Sequence, residues 1–404
     1  APLAATTSNR SEAFGGTLER CRMTMRPTWA EISLTNLRHN YSTIRDYVAP
    51  DAVVCAVVKC DAYGHGAGPC AKALQAEGAK WFAVTSVEEG VELREAGICG
   101  RILLLSGFWR GQEEAVIQHN LTPAIWDYNH IELLENAAEK MGKAPQSVAV
   151  HWKVDTGMAR LGTSMAETPA MMEALKAAEF VMLEGMFSHL ASADVVDGPE
   201  CPAQMVRYDE ATKAVTASGL APRYFHLANS AAILSREGTW KNMVRPGISL
   251  YGYCLPFMSV VTGDADHTME VSVKPVLEWK TRIISLRDVG ARQALGYNAA
   301  YITQGPARIA ALPVGYGDGL SRQLSSRGRV IVRGDFANIV GNVSMDITLV
   351  DVTGIPAEVG DEVILIGQSG KRSITAWDHA GHAQTIPYEV LCNISARVPR
   401  IYVD

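Results

Sequence analysis

The feature that most constrains this chain is an alternation of short apolar runs with amphipathic segments through its first two thirds. The apolar runs are 53–59, 81–86, 101–106, 121–126, 147–155, 181–189, 224–227 and 243–251. A continuous apolar run bounded by turn residues reads as a strand buried on both faces, as in a parallel sheet. Segments such as 87–96, 129–141 and 168–178 lie between them with helical spacing. Alternating strand and helix implies a parallel sheet, and eight strands is the number that closes a (β/α)8 TIM-like barrel. A doubly wound open sheet satisfies the same periodicity.

The texture changes after residue 266. Strand candidates at 271–285, 307–313, 328–332, 339–351 and 362–366 are punctuated by Gly290, Gly334, Gly354 and Gly360, without long helices. This predicts a C-terminal, mostly-β domain of barrel or sandwich type. Residues 1–25 are small and polar without periodicity and are expected to form a disordered extension. A start at Ala1 instead of Met is expected of a processed or trimmed chain. The expected division is therefore 1–25 extension, 26–266 barrel and 267–404 β domain. Leu34, Leu37, Tyr41 and Ile44 recur at helical spacing near the start of the barrel region.

A chain of 404 residues suits two domains, and 48% hydrophobic with 20% charged residues is a globular composition. A net charge of −6 without a basic block argues against nucleic acid or an anionic membrane as partner. No run reaches the roughly 18 apolar residues of a membrane span. The eight cysteines form no CxxC and no zinc-type pairing with histidine, so no metal site is expected and a reducing cytoplasm fits best. A pairing of Cys70 with Cys99 stays open.

Polar residues recur at the C-terminal ends of these strands: Lys59, His189, Asn229 with Ser230, and Arg245. In barrels that face carries the chemistry. Desolvation lowers a lysine's pKa, and a neutral amine can form a Schiff base. The plain alternative is a strand-end lysine that reaches solvent.

The string Val58-Lys59-Cys60-Asp61-Ala62-Tyr63-Gly64-His65-Gly66 closely resembles the pyridoxal-phosphate attachment motif of alanine racemases, with Cys60 where that family usually has Ala. The resemblance extends from Arg26 to Tyr402. It implies that Lys59 carries pyridoxal 5'-phosphate and that Tyr63 helps to bind it. Thr156-Gly157-Met158-Ala159-Arg160-Leu161-Gly162 resembles the loop whose arginine contacts the cofactor's phenolic oxygen and helps hold substrate, and Lys153 matches a lysine often carbamylated. His189 matches a group that hydrogen-bonds the arginine beneath the cofactor. The Asn229-Ser230 pair, the backbone at Gly247 and Ile248, and Tyr388 match phosphate-binding positions. Arg245 matches the arginine placed against the ring nitrogen. A guanidinium only donates, so it keeps that nitrogen unprotonated and weakens the electron sink, which suits an enzyme that only moves one proton.

In the β region, Tyr297 matches a second catalytic base offered across a dimer interface, with Asn298 where glycine is usual. Met345 and Asp346 match residues that border the substrate, with Asn342 standing where arginine is expected. The family implies a cytoplasmic homodimer with shared sites that interconverts L- and D-alanine by two bases, Lys59 and Tyr297, for cell-wall peptidoglycan. A broad-specificity racemase of the same fold is an alternative, although Asp155 and Leu161 resemble the alanine type. A fold-type III decarboxylase would put a carboxylate where Arg245 stands, and a non-enzymatic cofactor-carrying barrel would lack the β domain.

Overall fold

The structure is a computed structural model that describes residues 26–266 and 271–404; the extension expected at 1–25 lies outside the described residues. The chain divides into two compact units, one of residues 33–276 with 402–404 and one of 26–32 with 277–401.

The first unit is a closed barrel of eight strands. Counting Thr28–Ser33 as β1, the barrel runs through β2 (Val53–Val57), β3 (Trp81–Val84), β4 (Arg101–Leu104), β5 (Thr122–Ile125), β6 (Val148–Lys153), β7 (Val181–Phe187), β8 (Tyr224–Asn229) and β9 (Met243–Arg245). Parallel pairing of β2 with β9, Val53 opposite Met243 and Val54 opposite Val244, closes the ring. This decides between the barrel and the open sheet. The strands are buried almost throughout because helices cover the outside while side chains fill the inside.

Helices follow from ordinary signals. α1 (Leu34–Tyr47) starts at Ser33, whose side chain accepts from the Asn36 N–H, and it buries Leu37, Tyr41 and Ile44. Two more are α2 (Ala67–Ala76) and α3 (Val87–Glu95), the latter opened by a Ser86–Glu89 capping box.

The second unit is a largely antiparallel sheet. Its strands lie side by side in the order Ser285–Val289, Ala307–Leu312, Thr348–Asp351, Asp335–Ile339, Arg329–Val332, Glu362–Ser369, Leu277–Arg282, β1 and Arg400–Val403. The division at residue 26 put the opening segment with the barrel. The structure instead pairs β1 antiparallel with Leu277–Arg282, Trp29 opposite Lys280 and Ile32 opposite Leu277. Two short helices, Ala376–Ala383 and Pro387–Cys392, complete this unit. Cys70 and Cys99 are both unbridged thiols, Cys70 buried and Cys99 exposed, so the pairing left open does not occur.

Candidate active site

Lys59 stands past the end of β2, after the single residue Val58, and opens a turn of uncommon shape. Cys60, Asp61, Ala62 and Tyr63 all take left-handed backbone angles, with φ of 54°, 51°, 54° and 54°. For residues with a Cβ this costs about 1–2 kcal/mol each, so the surroundings must hold the turn. The Glu89 carboxylate accepts the Cys60 N–H at 2.6 Å, and Asp61 Oδ1 accepts the Ala67 N–H at 2.7 Å. His65 Nδ1 lies 2.9 Å from the carbonyl oxygens of both Ala62 and Tyr63. Two acceptors on one ring nitrogen require it to donate. The turn leaves Lys59 partly exposed and buries the Tyr63 ring against Tyr251.

The neighbouring strand β9 ends in Arg245, which is buried. Its guanidinium donates to His226 Nδ1 at 2.7 Å, to the Ser188 carbonyl at 2.8 Å and to the Leu227 carbonyl at 3.3 Å. All three partners are neutral. Burial lowers its pKa to about 10, so it is cationic at neutral pH. The partner expected from the sequence was His189, and this is corrected. Among the described residues His226 on β8 holds the arginine, because β8 and β9 are adjacent strands with Asn229 opposite Arg245. His189 lies past the end of β7. Its pKa is pushed well below the usual value by burial, then by the charges of Arg245, Arg160, Lys153 and Lys59.

The loops after β8 and β9 converge on Ser230. Its hydroxyl is met by the Gly247 N–H at 2.8 Å, the Ser249 N–H at 3.4 Å and the Ser249 hydroxyl at 3.1 Å. A Cβ on Gly247 would come within 2.4 Å of the Tyr63 hydroxyl and fill the space between them. Backbone donors, two serine hydroxyls and a phenol around one glycine form a cradle suited to a phosphate group. Ile248 is buried in the same loop, whereas the Asn229 side chain caps the short helix Ser230–Ser235 by accepting from the Ala232 N–H at 3.0 Å. Ser249 was missed in the sequence, where a serine two residues past a strand-end motif carries no signal of its own.

Lys153 ends β6. Burial, then the charges of Arg160, Arg245 and Lys59, lower its pKa to about 8. In the following loop Asp155 Oδ1 gathers the N–H groups of Gly157, Met158 and Ala159 at 2.9, 3.0 and 3.1 Å, and Arg160 stands exposed just beyond. Lys59, Lys153, Arg160 and Arg245 thus make the barrel's C-terminal face cationic, suited to a phosphate and a substrate carboxylate together. A strand-end lysine, a donor-only cation and a phosphate cradle on that one face fit the aldehyde, pyridine nitrogen and phosphate of pyridoxal phosphate.

The remaining predicted residues belong to the β unit. Tyr297 is 72% exposed, and its carbonyl accepts from Asn342 Nδ2 at 3.1 Å. Asn298 takes φ 61°, a left-handed angle that asparagine tolerates, which explains how it replaces glycine. Met345 and Asp346 are also exposed, with Asp346 paired to Arg397 at 2.7 Å. The Arg26 guanidinium holds this loop through the Asp346 carbonyl at 3.1 Å while bonding both oxygens of the buried Asp318. Tyr388 sits on the helix Pro387–Cys392.

The family model for the alanine racemase N-terminal domain matches residues 32–255, and that for the C-terminal domain matches 276–402. An alanine racemase from Symbiobacterium thermophilum is 41% identical over 379 residues, 94% of this chain and 97% of that one. The structure of an alanine racemase from Streptomyces lavendulae superposes with a TM-score of 0.87 at 31% identity, covering 94% of this chain and 98% of that one. A Bartonella henselae alanine racemase solved with covalently bound pyridoxal phosphate superposes with a TM-score of 0.80 at 30% identity, covering 93% and 99%. The matches run through both the barrel and the β unit and along nearly the whole length: the chain belongs to the alanine racemase family.

Proposed function

We propose that the chain interconverts L- and D-alanine with pyridoxal 5'-phosphate as cofactor, supplying D-alanine for peptidoglycan. The observation that carries the reading is Lys59 on its strained turn beside Arg245, a cation that donates and cannot accept. A decarboxylase of this fold would need a carboxylate in the arginine's place.

When bound, the cofactor draws electrons from the α-carbon of the attached amino acid and so acidifies its α-hydrogen. Lys59, Tyr63, Ser230, Asn229, Tyr388 and the backbone at Gly247 and Ile248 hold the cofactor, and we add Ser249 to them. Arg245 would face the ring nitrogen and, as a donor only, would leave it unprotonated. Arg160, Met345 and Asp346 hold the substrate. Lys153, whose pKa burial lowers to about 8, is the residue we propose for a carbamate, which would orient Arg160. His189 contributes to the ring's polar surroundings.

Inverting a stereocentre requires a proton to leave one face and arrive on the other, which needs two bases. Lys59 Nζ moves the proton on one face and the Tyr297 hydroxyl on the other. Tyr297 comes from a partner subunit, so the working unit is a homodimer. Among the described residues no helix is long and apolar enough to cross a membrane, and we place the enzyme in the cytoplasm. Borohydride reduction of the cofactor-loaded protein followed by peptide mapping tests the reading. Label is expected on Lys59 and absent from Lys59→Ala, and label on a different lysine would overturn the assignment.

A further inference from the structure

Behind Arg245 the barrel interior carries a polar chain that the proposed chemistry does not use. Arg245 can only donate, so His226 Nδ1 must accept, and the proton of a neutral His226 then sits on Nε2. That nitrogen lies 2.8 Å from His151 Nδ1 on β6. His151 in turn must accept there and carry its own proton on Nε2. The Nε2 atom has no hydrogen-bond partner among the described residues and lies 3.8 Å from Glu184 Oε2, near the carboxylate but outside hydrogen-bond distance. Glu184 is ion-paired with Arg101 on β4. The proton of each imidazole therefore sits on the nitrogen farther from Arg245, with the Glu184 carboxylate near the far end of the chain.

The fold makes room for this chain in two specific ways. Val150 pairs with Leu183 but His151 pairs with Gly185, so Glu184 has no partner on β6 and forms a bulge, a device that re-aims a side chain. A Cβ on Gly185 would come within 2.5–2.7 Å of the His151 ring atoms, so this strand position is open to the imidazole only because it is glycine. The rings are also clamped. Trp81 packs on His151 with centroids 5.1 Å apart, and Phe187 stacks on His226 at 4.7 Å. Burial, then Arg101 and Arg245, lower His151 to about 3, and burial, then Arg245 and His151, hold His226 well below the usual value, so both imidazoles are neutral.

We propose that His151 and Glu184, with Arg101, are positioning residues: they lock His226 in the Nε2–H tautomer and thereby keep Arg245 fixed and charged at the cofactor's ring nitrogen. The tautomer lock stands on the geometry alone; its consequence for the reaction rests on the function proposed above.

Histidine-specific 15N NMR of the loaded full chain reads the lock directly, alongside racemisation and pyruvate formation from alanine. The wild type should show His226 as a single tautomer, unprotonated at Nδ1. His151→Phe keeps the ring volume but removes the acceptor. It leaves the His226 Nε2–H without its acceptor, so it should shift the His226 ring signals and loosen the imidazole against Arg245, lower kcat about tenfold with little change in KM, and raise transamination per turnover about tenfold. His151→Asn, which offers an amide oxygen near the Nδ1 position, should restore most of both. Glu184→Gln should shift the His151 ring signals and raise transamination in the same direction, and it carries the test if His151→Phe does not fold. Unchanged His226 signals in His151→Phe, or unchanged His151 signals and product partition in Glu184→Gln, would overturn the proposal. A locked tautomer in a wild-type protein that does not racemise alanine would instead overturn the proposed function alone.

Discussion

Arg245 shows how much one side chain can be asked to do. It is buried, carries a full charge, and bonds one imidazole and two carbonyl oxygens, with no carboxylate bonded to it among the described residues. Removing a buried donor set leaves each acceptor unpaired at about 1–3 kcal/mol apiece, so the position is costly to change for folding as well as for chemistry. Arg245→Glu should therefore lower the melting temperature and slow racemisation by about a hundredfold or more. The same glutamate would hold a proton on the ring nitrogen and deepen the electron sink. Transamination should rise, seen as pyruvate released with alanine as the only amino acid supplied. Pyruvate formation at the wild-type rate per turnover would mean that Arg245 does not face the ring.

At the scale of elements, the barrel strands were legible because strands buried on both faces are written as unbroken apolar runs. Their ends were not. The run 243–251 reads as one strand, yet β9 stops at Arg245, and Ile248–Tyr251 forms a tight turn that ends at Gly252 with φ 88°. Apolar residues in that turn are buried for the sake of the cradle, and burial is all that the pattern records. The turn after β2 was hidden for a different reason. Its four left-handed residues include no glycine or asparagine, and besides Asp61 and His65 of the turn itself it is held by Glu89 from α3, outside the local pattern. The bulge at Glu184 and the placing of β1 depend on partners far along the chain, which no local window contains. His226 stands three residues before the Asn229-Ser230 pair, and only the neighbouring strand makes it the arginine's partner. The lysine, the arginine and the cradle glycine could be read because each is a residue type whose chemistry is narrow.

At the scale of the whole molecule, the proposed bases lie in different compact units, Lys59 in the barrel and Tyr297 in the β unit. A site built from two chains makes a prediction that a single-chain site does not. Lys59→Ala and Tyr297→Phe should each be inactive. Mixed and allowed to exchange subunits, they should recover up to about half of the wild-type activity per heterodimer, because a twofold interface gives one site both defects and the other neither. Verified exchange without recovery would place both bases on one chain.

The central claim is that this barrel takes the α-proton from alanine and returns one to either face. Its most direct test is incubation of the loaded protein with L-alanine in deuterium oxide, following chirality and the α-hydrogen together. The account predicts D-alanine approaching an equal mixture with L-alanine, and deuterium at the α-carbon of both enantiomers. Alanine that stays in the L form, or that loses its carboxylate instead, would contradict it.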